Sequence, residues 1–273
     1  MPINKIVSGF DEAVADIHDG ATVMVGGFAT VGSCPSLLVE ALARKGVKDL
    51  TTISNTGGFG SDVWKMMGYA FPEDIDILHR NGQVKKAIVS AMSSAYLENT
   101  LERRFRAGAV EVEKVPLGTL SERIRLAKAG MGAIYIPVGV GTVVAEGKET
   151  KIIDGRVHLL EYAIKADFAL IKAHKADRWG NLTYRGTSRT VNETMAGAAK
   201  VTIAEVDEIV DLGALDPECV VTPGVYVDRV VARPNDQSGL KKEDGEGKKV
   251  DARVAESHRK FMESWKGRPA KGD

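Results

Sequence analysis

The chain predicts an α/β fold, an open and mainly parallel sheet flanked by helices, on three observations. Short apolar runs recur along it, segments with apolar residues at helical spacing lie between several of them, and Gly or Pro stands at many of the junctions. With 273 residues and 44% hydrophobic composition, it is long enough to bury a substantial core as one large or two small domains.

Residues 8–18 carry Phe10, Val14 and Ile17 at helical spacing, and Asp19-Gly20 closes that helix. Thr22-Val23-Met24-Val25 then reads as a buried strand, and a glycine-rich loop, 26–34, follows at once. Pro35 suits the first turn of a helix with Leu38, Ala41 and Leu42 on one face and Gly46 as its stop. Apolar runs at 50–53, 87–89, 110–115, 133–136, 168–171, 201–206 and 219–231 predict further strands, with some hairpins in the second half. Thr119 and Glu122 have capping-box spacing, which predicts a helix opening there and running to about Lys128. No internal repeat of solenoid period is present.

Two regions result. Residues 1–232 form the folded domain, and residues 233–273 form a charged linker and C-terminal tail. Pro234, Asn235 and Asp236 open the linker, a charged run at 241–249 continues it, and 250–265 can regain a helix with Val254, Phe261 and Trp265 on one side.

Lys plus Arg and Asp plus Glu both total 37, so no global basic field exists to hold a polyanion, and nucleic acid is not an expected partner. The apolar stretch 133–144 is broken by Gly and Pro and falls short of a membrane span, and the acidic start is unlike a secretory signal, so a cytoplasmic location is expected. Cys34 and Cys219 have no CxxC spacing and read as reduced, half-buried small hydrophobes. The five histidines are scattered without i, i+4 pairs, so no metal site is expected.

Gly26-Gly27-Phe28-Ala29-Thr30-Val31-Gly32-Ser33-Cys34-Pro35 is the segment richest in chemical meaning. Glycines after a strand let backbone N–H groups point at an anion near a helix N-terminus, where an acyl oxyanion or a phosphate would be held. Gly27 and Gly32 have the spacing of a phosphate-binding loop, but Ser33 and Cys34 stand where that motif needs Lys and Ser/Thr, and no GxGxxG occurs here. The same glycines would also serve a purely structural turn.

The run from Asp19 to Phe28, with Gly32 and Pro35, closely resembles the signature of the A chain of family I coenzyme A transferases. Similar segments follow in family order: Ile53-Ser54-Asn55-Thr56-Gly57, Gly118-Thr119-Leu120-Ser121-Glu122-Arg123-Ile124, and Gly139-Val140-Gly141-Thr142-Val143-Val144. Ala166 to Asp177, Gly180-Asn181-Leu182-Thr183-Tyr184 and Val221 to Val227 resemble the 3-oxoacid and 3-oxoadipate branch. The resemblance covers roughly residues 5 to 232 and leaves out the tail. It implies a fold related to that of sugar-phosphate isomerases.

The resemblance further implies CoA transfer between short carboxylic acids, with coenzyme A as a substrate and no permanently bound cofactor, in ketone-body or aromatic-acid catabolism. In the family a glutamate of the B subunit, in a Ser-Glu-Asn-Gly segment, forms an acyl anhydride and then a glutamyl-CoA thioester. That segment is absent from this chain, and Asn192-Glu193-Thr194 does not match it. No catalytic nucleophile is therefore expected here, a B subunit is the implied partner, and an A2B2 heterotetramer is the family pattern.

Gly26, Gly27 and Phe28 are the implied backbone donors to the acyl oxygen, and Asn55 an amide donor beside the thioester. Asn55 would equally serve an Asx turn for the Gly57-Gly58 loop. Leu117 and Gly118 align with a substrate-contacting Gln-Gly pair, and the Leu removes an amide from it. The stretch 32–35 is one residue longer than the family's Gly-x-Pro, and Arg189 stands in a segment that departs from the branch, as a carboxylate or phosphate fork or as a salt bridge. Two other readings stay open: a sugar-phosphate isomerase or phosphosugar-sensing protein, with Asp62, Asp177 and Glu146 as acid/base candidates, and a catalytically silent CoA-binding subunit.

Overall fold

The computed structural model describes residues 3–28, 33–60, 73–92 and 99–234. The tail 235–273 with its expected helix, Gly32 of the lengthened loop, and Asp62 lie outside the described residues. The main sheet has eight strands: β1 (Thr22–Val25), β2 (Leu50–Thr56), β3 (Val84–Ala91), β4 (Glu111–Lys114), β8 (Ala166–Ala176), β9 (Leu182–Thr183), β10 (Ala199–Ile209) and β11 (Arg229–Ala232). Its order is β11-β10-β8-β1-β2-β3-β4, every neighbouring pair along that path is parallel, and β9 pairs antiparallel with β8. The α/β class with a mainly parallel sheet is as the sequence predicts.

A parallel sheet must be covered on both faces, and alternation along the strands supplies two cores. Val23 and Val25 join Phe168, Leu170 and Ile203 on one face, under helix α2 (Ser36–Lys45). Met24 joins Ile53, Ile88 and Ile171 on the other, under α5 (Leu117–Lys128). The expected face of α2 is buried, with Leu38, Ala41 and Leu42 at 0 to 1% exposure. Gly46 ends that helix in the left-handed region at φ 76°, which a side chain would strain. Short helices α1 (Phe10–Ala13), α3 (Asp76–Arg80), α4 (Thr100–Arg106) and α6 (Asn192–Met195) complete the layers. A three-stranded antiparallel sheet of β5 (Ala133–Ile136), β6 (Thr150–Ile153) and β7 (Arg156–Tyr162) supplies a hairpin in the second half.

Four local expectations are corrected. The first helix stops at Ala13 rather than His18, because Val14 leaves helical geometry (φ -105°) and three-residue turns carry Val14 and Ile17 into the core. Helix α5 opens at Leu117, after Pro116, so Thr119 lies within its first turn, buried, and Glu122 pairs with Arg125 instead of closing a capping box. Only Arg229–Ala232 of the run at 219–231 is a strand, since Pro217 and Pro223 start short turns before it. Cys219 is exposed rather than half-buried, its thiol turned to Asp216 at 3.5 Å, whereas Cys34 is partly buried. Among the described residues, no helix is long and apolar enough to cross a membrane.

His79 in α3 gives a testable pH effect. It is fully buried, neither ring nitrogen has a partner among the described residues, and burial with the nearby Arg104 charge pushes its pKa down to about 3. The unfolded chain therefore takes up a proton that the folded chain refuses. Stability from this group is complete above the ordinary pKa near 6.5 and is lost as pH falls toward 3. By pH 5 the loss is about 2 kcal/mol. Denaturant titrations from pH 7 to 5 are expected to show this slope, and His79→Leu to flatten it; an equal slope in the variant would refute the assignment.

Candidate active site

The strand order reverses beside β1. The chain steps outward through β2, β3 and β4, then returns to build β8, β10 and β11 on the other side. In such sheets the crevice for ligands opens at the carboxyl ends of the strands at the reversal. The pocket here lies at that edge, lined by Gly26, Gly27, Phe28, Ser33 and Cys34 after β1, by Asn55, Thr56 and Phe59 at the end of β2, and by Asp74 before α3. Four residues singled out from sequence, Gly26, Gly27, Phe28 and Asn55, thus meet around one pocket.

Their donors are not all free. Gly26 N–H extends the sheet to Leu170 C=O at 2.9 Å, so it is no ligand donor. Phe28 N–H donates to Ser33 Oγ at 3.2 Å. Gly27 N–H has no partner among the described residues. Its φ of 116° and the approach of Cys34 Cα to 3.3 Å of a hypothetical Cβ require glycine there. The expected anion site at the N-terminus of α2 is corrected as well. Leu37 and Leu38 N–H donate at 3.0 and 3.1 Å to the carboxylate of Glu205, so the chain supplies its own anion to the helix dipole.

Asn55 is 7% exposed, and its Nδ2 donates to Ser90 Oγ at 2.8 Å. Ser90 returns its single hydroxyl proton to Asn55 C=O at 2.7 Å, so its oxygen must accept, and this fixes which end of the amide faces it. One Nδ2 hydrogen remains. The Asx-turn alternative is not what forms: Thr56 Oγ1 accepts from Gly58 N–H at 3.3 Å, and Asn99 Nδ2 holds Gly58 C=O at 2.7 Å. Leu117 and Gly118 open α5 just past the carboxyl end of β4, a strand that lies two strands, or roughly 10 Å, across the sheet from β2. They do not line this pocket. Gly118 is exposed, and nothing lies within 4 Å of where its Cβ would be.

On the α2 face of β8 and β10 runs a polar row that sequence reasoning missed. Along β8 and β10 the face toward α2 is apolar at first, Phe168 and Leu170 beside Ile203, then turns to Lys172 and His174 beside Glu205 and Asp207. Glu205 is fully buried and paired with Arg233, whose guanidinium also reaches Ser36 Oγ at 3.1 Å. Lys172 Nζ donates to Asp207 at 2.5 Å, and His174 Nδ1 lies 3.1 Å from the other Asp207 oxygen. Burial pulls the Lys172 ammonium down, opposed by the Glu205 and Asp207 charges. Against the cost of burial, Lys172 and His174 hold the Asp207 carboxyl low. The available signal was charged residues placed two apart inside otherwise apolar strand runs.

The other charged side chains weighed from the sequence are hydrogen-bonded, paired or exposed. Asp177 is buried and accepts from Trp179 N–H at 2.9 Å, Asn181 N–H at 3.1 Å and Asn181 Nδ2 at 2.8 Å. Glu193 pairs with Lys128 at 2.6 Å. Glu146 is exposed on a short turn, and Arg189 is exposed with no ion pair among the described residues, so the salt bridge envisaged for it is not formed there. Burial, with the Asp74 and Glu205 charges, pushes the Cys34 thiol well up, so it is no thiolate nucleophile.

The profile described as "Coenzyme A transferase" matches residues 7–233. The A component of the 3-oxoadipate CoA-transferase of Pseudomonas putida is 50% identical over 232 residues, 84% of this chain and 94% of that protein. The mitochondrial succinyl-CoA:3-ketoacid coenzyme A transferase 2A of Mus musculus is 41% identical over 82% of this chain, which spans only 44% of the mouse protein. The apoenzyme of an acyl-CoA transferase from Escherichia coli O157:H7 superposes with a TM-score of 0.73 at 23% identity, over 90% of this chain and 50% of that one. That structural likeness speaks for the fold alone. The family profile, matching from before α1 to just past β11, takes in the pocket and the strands that build it, and the chain belongs to the coenzyme A transferase family.

Proposed function

We propose that this chain is the A component of a heteromeric CoA-transferase that moves CoA from a donor such as succinyl-CoA to a 3-oxoacid, with the attacking glutamate supplied by a separate B subunit. One observation carries the division of labour. The pocket offers donors, but its one carboxylate among the described residues, Asp74, is 5% exposed and already accepts from Phe59, Gly60 and Asp76 N–H groups. A carboxylate so engaged is a poor nucleophile, whereas Gly27 N–H and the spare Asn55 hydrogen suit an acyl or thioester oxygen. Leu117 and Gly118, across the carboxyl edge, are assigned to the far side of the acid-binding cleft. The length relation to the mouse protein agrees with a second half carried by another chain.

Residues 1–232 are taken as the transferase domain and 233–273 as an appended tail, in keeping with β11 ending at Ala232. The assembly is proposed as A2B2 and cytoplasmic, with CoA as substrate rather than resident cofactor. The test is a panel of thioester donors and acid acceptors on the co-expressed complex, which is expected to exchange CoA between succinyl-CoA and a 3-oxoacid. Exchange with no oxo-acid would refute the substrate assignment. Within that complex, Asn55→Ala is expected to lower kcat about tenfold to a hundredfold without dissociating the subunits on gel filtration. An unchanged kcat would leave Asn55 with only its Ser90 bond.

A further inference from the structure

We propose that Asn192 is a positioning residue for CoA transfer: its carboxamide closes the gap where β8 parts from β1 and so sets the Gly27 N–H at the pocket, an inference that rests on the acyl-binding role proposed above. The parting shows in the hydrogen bonds. Leu170 C=O accepts from Gly26 N–H at 2.9 Å, the last rung between these strands. Lys172 lies two residues further along β8 with its N–H on the same edge, but the chain after Gly26 has turned away. Asn192 Oδ1 takes that N–H at 3.0 Å. The two hydrogens of Nδ2 go to Ser33 C=O and Ser188 C=O, both at 2.9 Å. The side chain is fully buried, so one acceptor and two donors are matched with no solvent to share the work.

The constraint reaches the pocket by two routes. A Cβ on Gly26 would stand 1.8 Å from Asn192 Oδ1, so the amide fills the space the glycine leaves and the two positions determine one another. Asn192 also holds the Ser33 carbonyl, and Ser33 Oγ in turn accepts from Phe28 N–H. Gly26 and Phe28 are thereby pinned on either side of Gly27, whose N–H is left for a ligand. Aspartate would not substitute. It lacks both donors and would set a carboxylate against two carbonyl oxygens.

The test uses the complex with the B subunit, comparing Asn192→Asp and Ser33→Ala with the parent. Each variant is expected to lower kcat about tenfold or more, the cost of misplacing a donor, while the KM for acyl-CoA stays within about twofold and Ser33→Ala keeps the parental melting temperature. A loss of folded enzyme would also lower apparent kcat at constant KM, so the parental melting temperature of Ser33→Ala and the unchanged protection of 84–91 are what separate misplacement from unfolding. In hydrogen exchange, the Gly26 and Phe28 amides of Asn192→Asp are expected to exchange several-fold faster while 84–91 is unchanged. Parental kcat in both variants, a change in KM alone, or unchanged protection of those two amides would each overturn the proposal. Should Asn192→Asp fail to assemble, Ser33→Ala decides. Should the parent complex move no CoA, the transferase reading fails, and hydrogen exchange still decides on Asn192.

Discussion

Purified alone, the chain is expected to exchange no CoA above the protein-free control, and co-expression with a B subunit bearing a Ser-Glu-Asn-Gly segment is expected to restore exchange. The effect should be on the order of 10⁴-fold or more, the scale on which removing a covalent nucleophile acts. The grounds are chemical. Among the described residues, three carboxylates near the carboxyl edge are engaged: Asp74 is occupied by three backbone N–H groups, Glu205 is fully buried under Arg233 and the α2 N-terminus, and Asp207 is held by Lys172 and His174. None is free to attack a thioester carbonyl. Donors without a nucleophile can stabilise developing charge, but no bond to the acyl carbon would form. Steady-state exchange assays on chain and complex at equal molarity check this, and turnover by the chain alone within tenfold of the complex would end the two-subunit account.

The strand-loop-helix unit at β1 and α2 was legible because each signal in it is local. A run of three apolar residues, glycines, Pro35 and Gly46 all act within a few positions, and the structure matches β1 and the buried face of α2. Strand cores were legible for the same reason, while the start of α5 was not. Thr119 looked like a cap because side-chain type was visible, yet Pro116 had already begun the turn. The donor role of Gly26 and the anion site at the α2 N-terminus failed in a different way. Whether Gly26 N–H is free depends on Leu170, and whether the α2 N-terminus is vacant depends on Glu205. Both partners are more than 140 positions away in sequence, so periodicity says nothing of them. Asn192 was hidden likewise, since its three partners come from β8, the glycine loop and Ser188.

Glu205→Ala is expected to cost about 3–5 kcal/mol of stability, which for a chain of this size lowers the melting temperature by on the order of 10 °C. The carboxylate ties together three parts of the fold: β10, on which it stands, the first turn of α2, and Arg233 just past β11. Its removal takes from the buried Arg233 guanidinium the carboxylate it is paired with, leaves Leu37 and Leu38 N–H without their acceptor, and deprives Lys172 of a nearby counter-charge. Burial pushes the Glu205 carboxyl up, and Arg233, Lys172 and the helix N–H group oppose it, so the site depends on all of its members together. Two comparisons separate charge from shape. Glu205→Gln keeps an acceptor for the helix but no charge for Arg233, and is expected to fall between parent and alanine. Adding Arg233→Met to Glu205→Ala removes the other member of the buried pair, and is expected to recover part of the loss, as buried pairs replaced by apolar groups often do. A double variant no more stable than Glu205→Ala would mean that the missing helix acceptor, not the broken pair with Arg233, sets the penalty.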